Sequence, residues 1–270
     1  MLIYKVTNTL DGYLPPLAYT EHRTLAEVLL VGGKTISLDD FPKLRGIFKS
    51  GVGTDNLPFA EASRRKIEIR LPSNHTCDII FEETAAFTCH LILYGLYIDA
   101  GEWERWEKAD RESLRQRRLL VIGVGHIGRR VAEKMRVFMN VDTFDSAHDS
   151  PDLFEAKVRA ADCVSLHIPL TSETRGLFNA ERLAWLPDGA LLVNTARGAV
   201  VNEEALYDEL SMGRLRAAMD VFWEEPYRGK LSALPPDRFI RTPHIASTCN
   251  SFLHSAATDF LAFMNKLAHS

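Results

Sequence analysis

LLVIGVGHIGRRV, residues 119–131, sets an apolar run against three glycines, Gly123, Gly125 and Gly128, at the spacing G-x-G-x-x-G. Leu119–Ile122 has the length and composition of a buried strand, and the segment from Ile127 to Met139 has helical spacing, so the glycines fall in a strand-to-helix turn. Gly123 then permits the tight turn, Gly125 lets backbone N–H groups approach a pyrophosphate, and Gly128 lets helix and strand pack closely, while the helix N-terminus supplies partial positive charge. The next apolar run, Val141–Phe144, leads into Asp145, 22 residues after Gly123 and close to the spacing of an acid that accepts hydrogen bonds from an adenosine ribose. The competing reading is a structural turn with an unrelated surface Asp145. The combined context favours a dinucleotide site.

Working outward, β-branched runs recur at Cys163–His167, Leu191–Asn194, Ala217–Val221 and Arg238–Thr242, separated by helical segments or polar turns. This alternation predicts an α/β fold with a doubly wound, Rossmann-type parallel sheet. Upstream, KLRGIFKSGVGTDNLPF is another strand followed by a glycine turn, and residues 79–98 form an apolar segment suited to a buried helix. Residues 247–268 carry Phe252, Leu253, Ala256, Phe260, Phe263 and Leu267 at helical spacing, predicting a closing helix that packs back on the first unit. The expected organisation is a substrate domain of residues 1–96 with 247–270 and a cofactor domain of residues 97–246, joined by two chain crossings that form a hinge.

Composition excludes several classes. The 270 residues are 46% hydrophobic and 25% charged, enough for a sizeable buried core, and the net charge of −4 gives no bulk attraction for nucleic acid. Arg115, Arg117, Arg118, Arg129 and Arg130 read as a solvated linker and helix face, and Arg64, Arg65 and Lys66 as a solvated turn. Cys77, Cys89, Cys163 and Cys249 lack C-x-x-C spacing, so neither a metal site nor a disulfide framework is expected. MLIYKVTNTL has no signal-peptide pattern, and AAFTCHLILYGLYIDAG is interrupted by His90 and Asp99 and reads as too short to cross a bilayer. No membrane partner and a cytoplasmic location are expected.

Four polar residues, carried by three stretches, stand at or beyond predicted strand ends. Arg197 follows Leu191–Asn194, where its guanidinium can clamp a carboxylate; Asp220 and then Glu225 follow the next run; and His244 follows Arg238–Thr242. Singly each has a structural reading, as an ion-pair partner, a solvated acid or a satisfied histidine. Placed together at strand ends they suggest a catalytic group.

The blocks GVGTDN, GVGHIG, ADCVSLHIPLTSETRGLFN, LLVNTARGAVVNEEAL, AMDVFWEEP and TPHIA occur in order over roughly residues 44–254. In this the chain resembles the D-isomer-specific 2-hydroxyacid dehydrogenase family. The resemblance implies a reduced flavodoxin-like substrate domain beside the Rossmann-type domain, and NAD as cofactor. It implies that Arg197 binds the substrate carboxylate, that His244 is the acid/base and that Glu225 pairs with it. It places the cofactor against Gly123, Gly125, His126, Ile127, Gly128, Asp145, His167, Pro169, Thr174, Thr195, Ala196, Asp220 and His244. It places the substrate, a small 2-hydroxy or 2-keto acid, against Ser50, Gly51, Val52, Gly53, Arg197 and His244. A homodimer is also implied, and Trp103 and Trp106 are candidate interface or hinge residues. Two departures stand out. The N-terminal unit and the WERWEKADRESLRQRR connection are shortened, and Phe138 replaces a small glycine before the ribose-binding strand, where it is expected to tilt that strand. Two further readings stay open: a dinucleotide-sensing corepressor-like binding protein, and a reductase acting mainly on glyoxylate or hydroxypyruvate.

Overall fold

Runs of Val, Leu and Ile become strands because both faces of a parallel sheet must be covered. In a computed structural model that describes residues 1–98, 101–102, 106–108 and 110–269, the first strands are β1 (Ile3–Lys5), β2 (Val28–Val31) and β3 (Gly46–Lys49). Helix α1 (Phe59–Arg64), strand β4 (Glu68–Arg70) and the long helix α2 (Asn74–Tyr97) follow. A two-residue antiparallel pair, β5 (Gly101–Glu102) and β6 (Glu107–Lys108), precedes β7 (Arg118–Ile122), α3 (His126–Met135), β8 (Asn140–Phe144), α4 (Asp152–Arg159) and β9 (Cys163–Leu166). The chain continues through α5 (Ala180–Leu183), β10 (Leu191–Asn194), α6 (Glu203–Ser211), β11 (Arg216–Met219), β12 (Phe239–Arg241) and α7 (Asn250–Ala268).

These elements form two compact units, Met1–Ile80 with Ser247–Ser270, and Phe81–Ala246. The sequence places the first boundary between residues 96 and 97. In the structure it falls between Ile80 and Phe81, within α2, because Ile80 packs in one core while Ala85, Leu91, Ile92 and Leu96 pack in another. α2 is also longer than the sequence suggests. Its 24 residues and mean hydropathy of 1.3 over an 18-residue window make it long and apolar enough to cross a bilayer, although 44% of that window is buried within the chain. His90 does not interrupt it, because that ring lies on the exposed face, stacked on Tyr94; Asp99 lies outside the described residues.

The smaller unit has a four-stranded parallel sheet in the order β1-β2-β3-β4. α7 covers one face, with Phe260 fully buried 5.4 Å from Phe48. The other face is covered by Leu38, Phe41, Leu57 and Ala62. The basic turn is structural: Arg64 and Arg65 both pair with Glu61, Arg65 reaches Asp39 at 2.6 Å, and Lys66 takes a positive φ of 57°.

The larger unit has a six-stranded parallel sheet in the order β12-β11-β10-β9-β7-β8. Alternate residues serve opposite faces. Leu119, Val121, Cys163, Leu191 and Val193 pack with α2 and α3. Leu120, Ile122, Val164, Leu166, Leu192 and Met219 pack on the other side with residues of α4, α5 and α6. The chain leaves β7 for β8 in one direction and returns for β9 in the other, and this reversal leaves an opening at the carboxyl ends of β7 and β9 where open α/β sheets bind ligands. Phe138 does not disturb β8: it stands half-exposed in the preceding turn, and the β7–β8 register runs unbroken from Arg118↔Asn140 to Ile122↔Phe144.

Candidate active site

The glycine turn has the geometry its sequence predicts. Gly123 takes a φ of +88°, and a side chain there would meet the His167 carbonyl at 2.5 Å. A Cβ on Gly128 would lie 1.9 Å from the Gly123 carbonyl, which shows how closely α3 packs against the turn. A Cβ on Gly125 would meet nothing within 4 Å, so the backbone is open there. Gly125 caps α3 without a side-chain hydrogen bond, and the first-turn amides of a helix have no acceptor within it. Open backbone, outward amides and the positive end of a helix fit a pyrophosphate.

Asp145 stands beside this turn. Its Oδ2 accepts from the Val124 amide at 2.7 Å and its Oδ1 from the Ala147 amide at 3.0 Å; these two amides hold its carboxyl below the usual range against a smaller effect of burial. His126 lies flat on Phe81, ring centroids 4.5 Å apart, and Arg130 donates to the His126 carbonyl at 2.8 Å. His167 contacts the Ser165 hydroxyl through Nε2 at 2.8 Å, and burial lowers its pKa to about 3, so the ring is neutral at physiological pH. Thr174 donates to the Pro169 carbonyl at 2.6 Å and accepts from the Thr171 amide at 2.8 Å, closing the loop after β9.

At the end of β10, Thr195 shares a hydrogen bond of 2.8 Å with Thr88 of α2. Arg197 folds back on its own turn, Nη1 donating to the Ala196 carbonyl at 2.7 Å. Gly198 then passes so close to the next loop that a Cβ would lie 2.2 Å from the Phe222 carbonyl carbon. That contact fixes the Arg197 turn beside the loop that carries Glu225.

Glu225 Oε1 accepts from the Phe222 amide at 3.1 Å, and its Oε2 lies 2.8 Å from His244 Nδ1. Burial pushes this carboxyl up, but the His244 hydrogen bond and charge, the Phe222 amide and the Arg197 charge together hold it below the usual carboxylate range. His244 adopts a φ of +54°, a conformation that costs a residue with a side chain about 1 kcal/mol or more. Asp220 supplies the constraint that holds it. This residue is fully buried, its Oδ1 accepting from the Thr242 hydroxyl at 2.6 Å and the Ile245 amide at 2.9 Å, and its Oδ2 from the Ala246 amide at 2.9 Å.

The structure thus brings Arg197, Asp220, Glu225 and His244 to one end of the six-stranded sheet, with the glycine turn and Asp145 at the same end. Ser50, Gly51, Val52 and Gly53 belong to the smaller unit, where Ser50 is buried and donates to the Val31 carbonyl at 3.2 Å, while space beside Gly51 is open. Trp103 lies outside the described residues, and Trp106 is 74% exposed. Sequence reasoning passes over Asn194, Gly198 and Thr242. Asn194 had one visible signal, as the polar residue that ends the otherwise apolar run LLVN.

Residues 84–246 match the family described as D-isomer specific 2-hydroxyacid dehydrogenase, NAD binding domain. The chain is 33% identical to a hydroxypyruvate reductase of Thermotoga maritima over 76% of its own length and 71% of the relative's. It is 32% identical to a D-3-phosphoglycerate dehydrogenase of Bacillus subtilis over 89% of its own length, and there it spans about half of the relative, 49%. Its fold is similar to that of the D-lactate dehydrogenase of Aquifex aeolicus complexed with NAD and lactic acid, with a TM-score of 0.81, 24% identity, and coverage of 100% and 96% of the two chains. The chain belongs to the D-isomer-specific 2-hydroxyacid dehydrogenases. It is an oxidoreductase acting on CH–OH groups, and its cofactor is NAD.

The support Asp220 gives to the 242–246 segment is directly measurable. Asp220→Ala leaves the Thr242 hydroxyl and two amides without their acceptor and is expected to cost on the order of 2–4 kcal/mol of stability. Urea unfolding followed by circular dichroism gives the difference, and a loss below about 0.5 kcal/mol would contradict the role.

Proposed function

We propose that this chain interconverts a small D-2-hydroxy acid and its 2-keto acid, with His244 as acid/base, Arg197 as the carboxylate clamp and Glu225 as the partner of the imidazole. The observation that carries this reading is the 2.8 Å contact between His244 Nδ1 and Glu225 Oε2. With Nδ1 turned to a carboxylate, Nε2 is the nitrogen left to exchange a proton with substrate. In keto-acid reduction, His244 gives that proton to the carbonyl oxygen; in hydroxy-acid oxidation it takes the proton back. Arg197 faces the substrate carboxylate with a planar fork that matches it in two hydrogen bonds, and its charge together with the imidazolium stabilises the oxygen as negative charge develops. Bound NADH supplies the hydride, and NAD takes it in the reverse direction.

The open backbone around Gly125 supports a site for the pyrophosphate formed by Gly123, Gly125, His126, Ile127 and Gly128, and Asp145 is the residue for the adenosine ribose. His167, Pro169, Thr174, Thr195 and Ala196 would line the remainder of the cofactor. Asp220 would stand at the nicotinamide end, where it also braces the segment that carries His244.

Glyoxylate and hydroxypyruvate are the favoured keto acids. The hydroxypyruvate reductase from Thermotoga maritima is matched over 71% of its length, against 49% of the D-3-phosphoglycerate dehydrogenase from Bacillus subtilis. The basic turn gives no support to a phosphorylated substrate, since Arg64 and Arg65 are held by Glu61 and Asp39.

Cofactor choice tests Asp145. Its carboxyl is held ionised by two amides and would repel a 2′-phosphate, and Ser146 and Ala147 beside it bring no cation, which leaves His148 as the one exception. Fluorescence titration is expected to show NADH bound about tenfold or more tightly than NADPH. Equal affinities would contradict the assignment.

The proton path is tested by steady-state kcat and kcat/KM for keto-acid reduction. Glu225→Gln keeps the size of the side chain and removes the carboxylate that meets Nδ1, so kcat for keto-acid reduction is expected to fall about tenfold or more. His244→Ala is expected to lose about 10²-fold or more in turnover. A kcat left unchanged by Glu225→Gln would overturn the pairing of these two residues.

A further inference from the structure

Arg197 can clamp a carboxylate only if its backbone is fixed, because a two-pronged contact tolerates little displacement. We infer that Asn194 is the positioning residue that fixes it, its buried side-chain amide gripping the turn from which the guanidinium projects. The inference rests on the reading of Arg197 as the substrate clamp and deepens it.

Asn194 ends β10 and is fully buried. Its Oδ1 accepts from the Ala196 amide at 3.0 Å, and its Nδ2 donates to the Arg197 carbonyl at 2.9 Å. One planar group therefore holds the residue before the arginine by its N–H and the arginine itself by its carbonyl. Ala196 matters twice, since its own carbonyl receives Arg197 Nη1 at 2.7 Å. Fixing Ala196 fixes the acceptor that orients the guanidinium. Asn194 is itself anchored to the next strand end, where its backbone carbonyl accepts from the Asp220 amide at 3.0 Å. Beyond the arginine, the contact of Gly198 with the Phe222 backbone prevents the turn from shifting toward that loop.

The task needs a donor and an acceptor on one short side chain. Alanine offers neither. Aspartate keeps the acceptor for Ala196, but when ionised it sets an oxygen against the Arg197 carbonyl; when protonated its O–H can donate there as the amide does. This difference separates positioning from mere filling of space.

The test is steady-state reduction of glyoxylate and hydroxypyruvate, with NADH affinity read separately by fluorescence quenching. Asn194→Ala is expected to raise KM for the keto acid about tenfold or more while leaving the NADH dissociation constant within about twofold. Asn194→Asp is expected to resemble it near pH 8 and to recover as pH falls toward about 5.5, where a buried carboxyl regains its proton. The charged groups around the turn, Arg197, Glu225, Asp220 and His244, are common to both proteins, so the recovery is read as the ratio of variant to wild-type KM at each pH. An unchanged KM in Asn194→Ala, an equal loss of NADH affinity, or a ratio flat with pH in Asn194→Asp overturns the inference. If the alanine variant does not fold, the pH series of the aspartate variant decides alone. Arg197→Ala separates the two levels: an unchanged KM there removes the clamp reading itself, whereas a raised KM there with none in Asn194→Ala removes only the role of Asn194.

Discussion

Asp220 is the point on which the geometry of the site depends. A carboxyl at the end of β11, sealed from water, gathers a hydroxyl and two backbone amides from residues 242–246, and its own amide bonds to the end of β10. Unpaired, such a group and such amides would each cost about 1–3 kcal/mol; paired, they tie two strand ends and one turn into a single unit. His244 sits inside that turn at a positive φ, a backbone state that persists where surrounding bonds over-determine it.

From this anchor the remaining parts follow by short links. The Asp220 amide meets the Asn194 carbonyl, Asn194 meets the Arg197 turn, Gly198 lets that turn touch Phe222, and the Phe222 amide orients Glu225 against His244. Each link is a hydrogen bond or a close backbone approach between neighbouring strand ends, so the site needs no flexible side chain to find its place unaided. The same sheet edge presents the glycine turn and Asp145, because the order of strands reverses between β7 and β9. Fold and chemistry meet at that edge for a topological reason.

What was legible in the sequence was what periodicity and spacing encode. The alternating apolar runs gave six strands of the larger sheet to within one or two residues, and the glycine spacing gave the turn with its open position at Gly125. The domain boundary was not legible. α2 is one continuous helix whose apolar residues serve two cores, Ile80 in one and Ala85 to Leu96 in the other, and hydropathy does not show which core each residue joins. The effect of Phe138 is illegible for a similar reason: a bulky residue is disruptive only where it must be buried, and this one stands half-exposed in the turn before β8. Asn194 escaped notice because its partners lie two and three residues away in its own turn, and no spacing rule marks a side chain that bonds its own backbone. Gly198 escaped because its reason is the backbone of a distant loop.

The central claim, that this sheet edge reduces a 2-keto acid with a proton from His244, is tested most directly by following the label from NADH that carries deuterium at nicotinamide C4. Incubated with glyoxylate, hydroxypyruvate and other small 2-keto acids, the protein should place deuterium on C2 of the resulting 2-hydroxy acid, with the D configuration wherever C2 of the unlabelled product is a stereocentre, and His244→Ala should slow that transfer without abolishing NADH binding. Bound NADH with no label appearing at C2 of any product would contradict the account.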